Sequence, residues 1–398
     1  MTRTVERIEA AVAALGSAPL DEETIARHVA PLFSRVIDRW RGRIYLANHS
    51  LGRPLDAAAD DVGEGLAAWY ADLGDAWDGW FEEMTVFRAR LARLMGAPRA
   101  DCIVPKTSAG QGLRAILNTY DGVPRVVATR AEFDSLDVIL REYARRGRIA
   151  LSMVEPDDVV RAVAGAVDLV VVSQVLFRTG ERLPDLGAVI ASTRAAGGRV
   201  LLDVYHSLGV FPVDVGALDV DFAVGGSYKY LRGGPGACFL YLAPRHLDGS
   251  LRTLDTGWFA KRDPFAYLRP DPPILAEGGD AFLESTPPVL PLFQARAGQV
   301  FTLAVGVPRL CAWSLAMQRR LVSLLADRGV AAVGGEECRG AFVVVTAADA
   351  EAWADRLRAA GVVTDARGRH LRLCPDVLTT EAELVAAAEA VAKLRPSG

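Results

Sequence analysis

The sequence is poor in the features that would place it in several broad classes. Its five cysteines, at 102, 238, 311, 338 and 374, are odd in number, and no two form a Cys-x-x-Cys pair. A disulfide framework and a zinc ribbon are therefore not expected, and a reducing compartment is the default. No apolar run approaches the ~18 residues of a membrane span. The opening MTRTVERIEAAVAALG interleaves charges with apolar residues where a signal peptide would carry an unbroken apolar stretch. The expectation is a soluble cytoplasmic protein without a membrane partner. Neither charge sign dominates: 45 Lys plus Arg stand against 49 Asp plus Glu, a net charge of −4. That balance leaves no basic excess for holding nucleic acid. Repeats, low-complexity tracts, a metal-ligand spacing and a Walker-type GK[ST] loop are also missing.

What is present fits a large globular enzyme. Hydrophobic residues make up 51% and charged residues 24% of 398 positions, enough apolar surface for a sizeable core. Residues 1 to about 43 read as helical and amphipathic, and IYLANHSLGRP (44–54) as a short strand and turn. Residues 56–95 read as helical again, with Trp69, Tyr70, Trp77, Trp80 and Phe81 interspersed. Those aromatics suit either packing against the next domain or a substrate wall.

From residue 101 strands and helices alternate. DCIVP, RVVAT, DLVVVS, RVLLDV, DFAVGG and ACFLYL read as strands that are apolar throughout, as a sheet covered on both faces requires. This pattern predicts a doubly wound, mostly parallel α/β domain. Pro and Gly thicken over 255–291, which suggests a long excursion at an active site or interface. A smaller C-terminal α/β layer follows, closed by a helix with a capping box at Thr380 and Glu383. The expected division is an N-terminal helical segment (1–50), a large domain (51–290) and a small domain (291–398).

The densest chemistry lies in LLDVYHSLGV (201–210) and VGGSYKYLRGGPGACF (224–239). Asp203 ends a strand, and Lys229 follows 26 residues later in the loop after another strand. Both sit at carboxyl ends of strands, where open α/β sheets bind ligands. A lone lysine beside an acid is the pair that pyridoxal 5'-phosphate (PLP) chemistry needs. The amine forms an imine with the cofactor, and the acid keeps the pyridine nitrogen protonated. KTSAGQG, between a strand and a helix, is suited to a phosphate. Taken singly, Asp-x-x-His could be a strand-end acid with a solvated histidine, and GGPG only a turn.

SYKYLRGGPG resembles the lysine motif of kynureninases, within the class V aminotransferase-like group of fold-type-I PLP enzymes. Asp203 and His206 match that family's Asp-x-x-His, and Tyr228 its tyrosine before the lysine. Tyr45, Leu46, Ser50, Leu51 and Gly52 match its opening turn. Gly257 and Trp258, Thr286 with Pro287 and Pro288, and Arg372 with Pro375 follow in order. The resemblance implies that Lys229 carries PLP and that Asp203 and His206 serve its ring. It implies that Thr107, Ser108, Ser227 and Tyr228 reach its phosphate. Phe133 would stack on the pyridine face, unless it is a core phenylalanine, and Ser173 would lie near the 3'-oxygen. Trp258 and Thr286 would come from the other subunit of a homodimer with shared sites. Arg372 would take the α-carboxylate of an amino-acid substrate, unless it is a strand-end surface arginine. Asn48 and His49 would border the substrate.

Two segments depart from the family pattern: ANHS (47–50) stands where Asp-Gly-Asn-Ser is expected, and Phe259, Ala260 and Lys261 where Trp-Gly-His is expected. The expected activity is cleavage at the β-carbon of an amino acid, by Cβ–Cγ hydrolysis or β-elimination, with Lys229, Tyr228 and Asp203 catalytic. Transamination, C–S lysis and a non-catalytic PLP-binding role are the alternatives. Cysteine desulfurase chemistry is disfavoured, because TDARGRH (364–370), before Arg372, holds no cysteine.

Overall fold

The computed structural model describes residues 2–395. The first strand, β1 (Ile44–Tyr45), follows a run of helical segments rather than one long helix. The opening helix Arg3–Ala13 ends before Gly16, which adopts a positive φ. Short α, π and 3₁₀ turns then carry the chain to Arg39. Pro19 and Pro31 favour these breaks, since proline removes a backbone donor.

The central sheet contains β2 (Ile103–Lys106), β3 (Arg125–Thr129), β4 (Ala150–Val154), β5 (Leu169–Ser173), β6 (Arg199–Asp203), β7 (Phe222–Gly226) and β8 (Cys238–Leu242), in the order 2-8-7-6-5-3-4. β8 is antiparallel to both neighbours and the other strands run parallel to one another. Every residue of β5, β7 and β8 is buried. Helices on both faces exclude water from both sides of each strand, so no polar alternation survives. β4, at one edge, is half exposed and alternates instead. Helix Ala109–Leu117 follows β2 after the two-residue link Thr107–Ser108.

A three-stranded sheet, β11 (Asp365–Arg367), β12 (His370–Leu373) and β9 (Val343–Thr346), forms the C-terminal layer. β10 (Val362–Val363) pairs in parallel with β1, so the N-terminal turn is bound to this layer. The capping box at Thr380 and Glu383 starts the last helix, Glu381–Ala392. The N-terminal helices share an apolar cluster with helix Leu290–Val305, where Phe33 and Phe301 meet edge to face at 5.6 Å. No single helix among the described residues is long and apolar enough to cross a membrane.

Helix Leu290–Val305 also carries Arg296, which is 2% exposed. Its guanidinium donates to Asp61 (3.0 Å), to Glu64 (2.6 Å) and to Glu83 (2.7 Å). Asp61 and Glu83 are themselves buried, with Thr4 and Arg90 as further donors. Arg296→Met should therefore leave two buried carboxylates short of their cation. Removing one partner of such a cluster costs ~3 kcal/mol or more. Urea denaturation would show it as a lowered midpoint, and an unchanged midpoint would mean that the cluster contributes no net stability.

Candidate active site

The carboxyl ends of β3, β5, β6 and β7 open onto one cavity of about 570 Å³. Thr107, Ser108, Phe133, Ser173, Asp203, His206, Tyr228 and Lys229 line it. Parallel strands bring these residues together from five separate stretches of sequence. β5 and β6 set Ser173 directly across from Asp203.

Lys229 is 5% exposed, and its Nζ lies 2.7 Å from Nε2 of His206. Burial pushes the Lys229 amine down to about 7, against the pull of Asp203. Close to neutrality the amine is thus partly unprotonated. Burial, then the Lys229 charge, holds His206 far below its ordinary value. The imidazole is therefore neutral and its Nε2 accepts from Nζ. Its Nδ1 faces the Tyr230 hydroxyl at 3.3 Å. Three rings surround the amine, with centroids at 5.3 Å (Phe133), 4.9 Å (Tyr205) and 5.7 Å (Tyr228).

Asp203 is 5% exposed and accepts the Tyr205 backbone N–H at 2.7 Å. Burial lifts its pKa to about 6, opposed by that N–H and by Lys229. Tyr228 is pushed up to about 12 by burial, so its phenol keeps its proton. The loop bearing Lys229 is supported from below by the N-terminal turn. Gly52 N–H donates to Tyr228 O at 2.8 Å, and a Cβ at Gly52 would stand 2.0 Å from Lys229 O. Only a glycine permits that approach.

At the phosphate-like end, Ser108 caps helix Ala109–Leu117 by accepting Gln111 N–H. The first N–H groups of the helix have no intrahelical acceptor. The Thr107 N–H and hydroxyl both donate to the Gln111 side-chain oxygen (2.7 and 3.1 Å). A neutral amide oxygen therefore occupies the place where an anion's oxygen would be attracted.

The other expected residues are placed elsewhere. Ser227 is fully buried with its hydroxyl unpartnered, and it does not line the cavity. Trp258 donates to the Thr286 hydroxyl at 3.2 Å, away from this cavity, within a cluster with Phe259, Phe265 and Tyr267. Trp77 and Phe81 join that cluster, whereas Trp69 and Tyr70 are exposed, so none of these helix aromatics lines the cavity. Asn48 donates to Cys374 O at 2.8 Å, and His49 faces Asp365 at 2.7 Å. Arg372 does not line the cavity but donates to the carbonyl of Phe177, which does.

Sequence reasoning did not single out Glu132, Tyr205, Cys238 or Asp365. Tyr205 and Cys238 pair at 3.0 Å on the cavity wall. Glu132 is 3% exposed and accepts from the Ser173 hydroxyl (2.5 Å), the Ser173 N–H (3.2 Å) and the Thr129 hydroxyl. Burial raises it to about 7, and nearby Asp203 adds to the rise. Its folded value exceeds the ordinary carboxylate range, so the folded protein keeps a proton that the unfolded chain has lost. That contribution is fully present below about pH 4.5 and is lost as pH rises through about 7. Glu132→Gln should hence gain stability relative to the unsubstituted protein between pH 5 and pH 8, by on the order of 2 kcal/mol. Denaturant midpoints at the two pH values test this, and parallel midpoints would contradict it.

The model of the aminotransferase class-V family matches residues 78–279, just over half of the chain and the stretch that contains this cavity. The chain belongs to the class-V aminotransferase family. A kynureninase from Burkholderia pseudomallei (strain K96243) is 30% identical over 305 residues, covering 72% of this chain and 71% of that protein. A kynureninase from Deinococcus radiodurans is 32% identical over 261 residues, covering 63% of each chain, so this match spans less than two thirds of that relative. Among solved structures, the cystine C–S lyase C-DES superposes with a TM-score of 0.79 at 18% identity, over 90% of this chain and 100% of that one. A cysteine desulfurase from Thermococcus onnurineus does so with a TM-score of 0.75 at 16% identity, over 88% and 94%. These likenesses show the fold expected from the alternating strands, a fold-type-I arrangement with a smaller C-terminal α/β layer.

Proposed function

We propose that this protein is a PLP-dependent enzyme that cleaves an amino acid at its β-carbon, a reading supported by its likeness to proteins named kynureninases. The observation that carries the reading is the buried Lys229, held between His206 and the rings of Phe133, Tyr205 and Tyr228. Asp203 stands in the same cavity. The cavity fits the cofactor on its own chemistry: an amine at the floor, a strand-end carboxylate, an aromatic wall and a helix N-terminus with unengaged N–H groups. When bound, PLP supplies an aldehyde for the amine and a cationic ring that takes up electrons from bonds broken at the substrate.

The chain's own groups would act as follows. Lys229 would hold the cofactor and, once released by the substrate's amine, move the α-proton. Asp203 would stay ionised against the ring nitrogen. Thr107, Ser108 and the helix N–H groups would take the phosphate, with Gln111 giving up Thr107. Tyr228 would donate a proton to the substrate's side-chain carbonyl or β-carbon, since its phenol stays protonated. Arg372 would receive the α-carboxylate, and Phe133 would cover the ring.

Trp258 and Thr286, outside this cavity, support a shared-site homodimer. Leu254, Tyr267 and Leu268 in the same segment are 72%, 69% and 65% exposed, an apolar face that a second copy would cover. The five unpaired cysteines suit a cytoplasmic setting. The deciding experiment is incubation of the loaded protein with kynurenine, 3-hydroxykynurenine, cysteine conjugates and a standard amino-acid panel, with products read by mass. Alanine or pyruvate is expected. A keto acid that retains the whole side chain would establish transamination instead.

A further inference from the structure

The β11–β12 hairpin sets Asp365 directly across from Arg372. The two form a bidentate pair: Arg372 Nε donates to Oδ1 at 2.8 Å and Nη2 to Oδ2 at 2.7 Å. Arg372 is 2% exposed, and its Nη1 donates to Phe177 O. The same carboxylate takes two more donors from the other end of the chain. His49 Nε2 lies 2.7 Å from Oδ1, and the Ser50 hydroxyl donates to Oδ2. Burial pushes His49 down to about 4, so the ring is neutral and acts as a donor here. Asp365 is therefore engaged on both oxygens by four donors from two segments.

A guanidinium carries five N–H groups. Two go to Asp365 and one to Phe177 O, which leaves two, the number a single carboxylate needs for a forked contact. An arginine on its own would swing on a long, flexible stem and lose rotamer freedom on binding. Here the stem's orientation is fixed before any ligand arrives.

We infer that Asp365 is a positioning residue for the substrate: with His49 and Ser50 it holds Arg372 so that its two remaining N–H groups receive the α-carboxylate. The inference rests on the reading of Arg372 as the carboxylate receptor. It also gives the departure at His49 a role, because His49, together with the matching Ser50, acts on the substrate through Asp365 rather than by touching it. The opposite role is physically distinct. An Asp365 that merely occupied the fork would have to be displaced by the substrate, and its removal would tighten binding.

The test uses the cofactor-loaded protein and two ligands that differ only in the carboxylate, an unreactive α-amino acid and the corresponding amine. Dissociation constants are read from the change in cofactor absorbance, and cofactor affinity is measured separately by dialysis. Asp365→Asn should weaken the amino acid by about tenfold or more, as loss of one charge-assisted contact does, and leave the amine within about twofold. Ser50→Ala, which keeps all charges and is the milder change should Asp365→Asn fold poorly, should shift the ratio in the same direction by less. In turnover, KM should rise by a larger factor than kcat falls. Tighter binding of the amino acid by Asp365→Asn, or equal losses for both ligands, would overturn the inference. Arg372→Lys separates the two levels. If it leaves the preference for the amino acid over the amine intact, the carboxylate-receptor reading itself fails. If it abolishes that preference while Asp365→Asn and Ser50→Ala preserve it, only the positioning role fails.

Discussion

Lys229→Ala should lose turnover by about a thousandfold or more, ~4 kcal/mol of barrier, and should no longer retain the cofactor after borohydride reduction. The argument starts from burial. An amine that is 5% exposed and ringed by Phe133, Tyr205 and Tyr228 is poorly hydrated as an ammonium. Its pKa falls to about 7, which makes it a usable nucleophile at neutral pH. No other lysine among the described residues lines the cavity. Lys106, the next lysine in the same layer, is tied to Glu284 at 2.8 Å and to Phe282 O at 2.9 Å. The alanine variant should still bind PLP non-covalently, because the phosphate end and Asp203 are untouched. Mass spectrometry after reduction distinguishes the two states. Retention of a reduced adduct at the level of the unsubstituted protein would place the reactive amine elsewhere.

The legible parts of the fold were those with a strong local signature. β5, β7 and β8 are apolar at nearly every position, so their burial on both faces could be read directly. The capping box at Thr380 and Glu383 depends on a three-residue spacing and is present. β4 escaped notice because an edge strand alternates weakly and sits between two helical stretches. In the site, the strand-end rule and the lysine motif pointed to Asp203, Tyr228 and Lys229, which share the cavity. Glu132 was hidden in AEFD, where an acid beside a helix start reads as an ordinary N-terminal charge. Its meaning comes from Ser173, 41 residues away. Asp365 was hidden for the same reason, since its partners His49 and Ser50 lie more than 300 residues earlier. Pairings of that kind are made by the packing of distant segments and leave no spacing to count.

Asp203→Asn should lower turnover about a thousandfold while weakening PLP by only about tenfold. The two effects would separate because, in the proposed reading, Asp203 is one of several anchors for the cofactor but the only acid among the cavity-lining strand ends. In that reading the phosphate end would hold most of the affinity and would not change. The ring's capacity to accept electrons depends on a proton at its nitrogen, and asparagine has no charge to stabilise it. The pH dependence carries the sign. Burial raises Asp203 to about 6, so in the free protein the carboxylate is present above that pH and lost below it. The affinity advantage of the unsubstituted protein over Asp203→Asn should therefore be full at pH 8 and shrink as pH falls through 6. The phosphate end titrates alike in both proteins and cancels in the ratio, whereas Lys229 would titrate lower without the pull of Asp203, so both proteins are compared on the Lys229→Ala background. Fluorescence titration of PLP into each apoprotein across this range gives the ratio directly. Near-normal turnover in Asp203→Asn, or a ratio that does not change with pH, would mean that the charge serving the ring comes from another group, and Glu132, bonded to Ser173 at 2.5 Å, would be the next to replace.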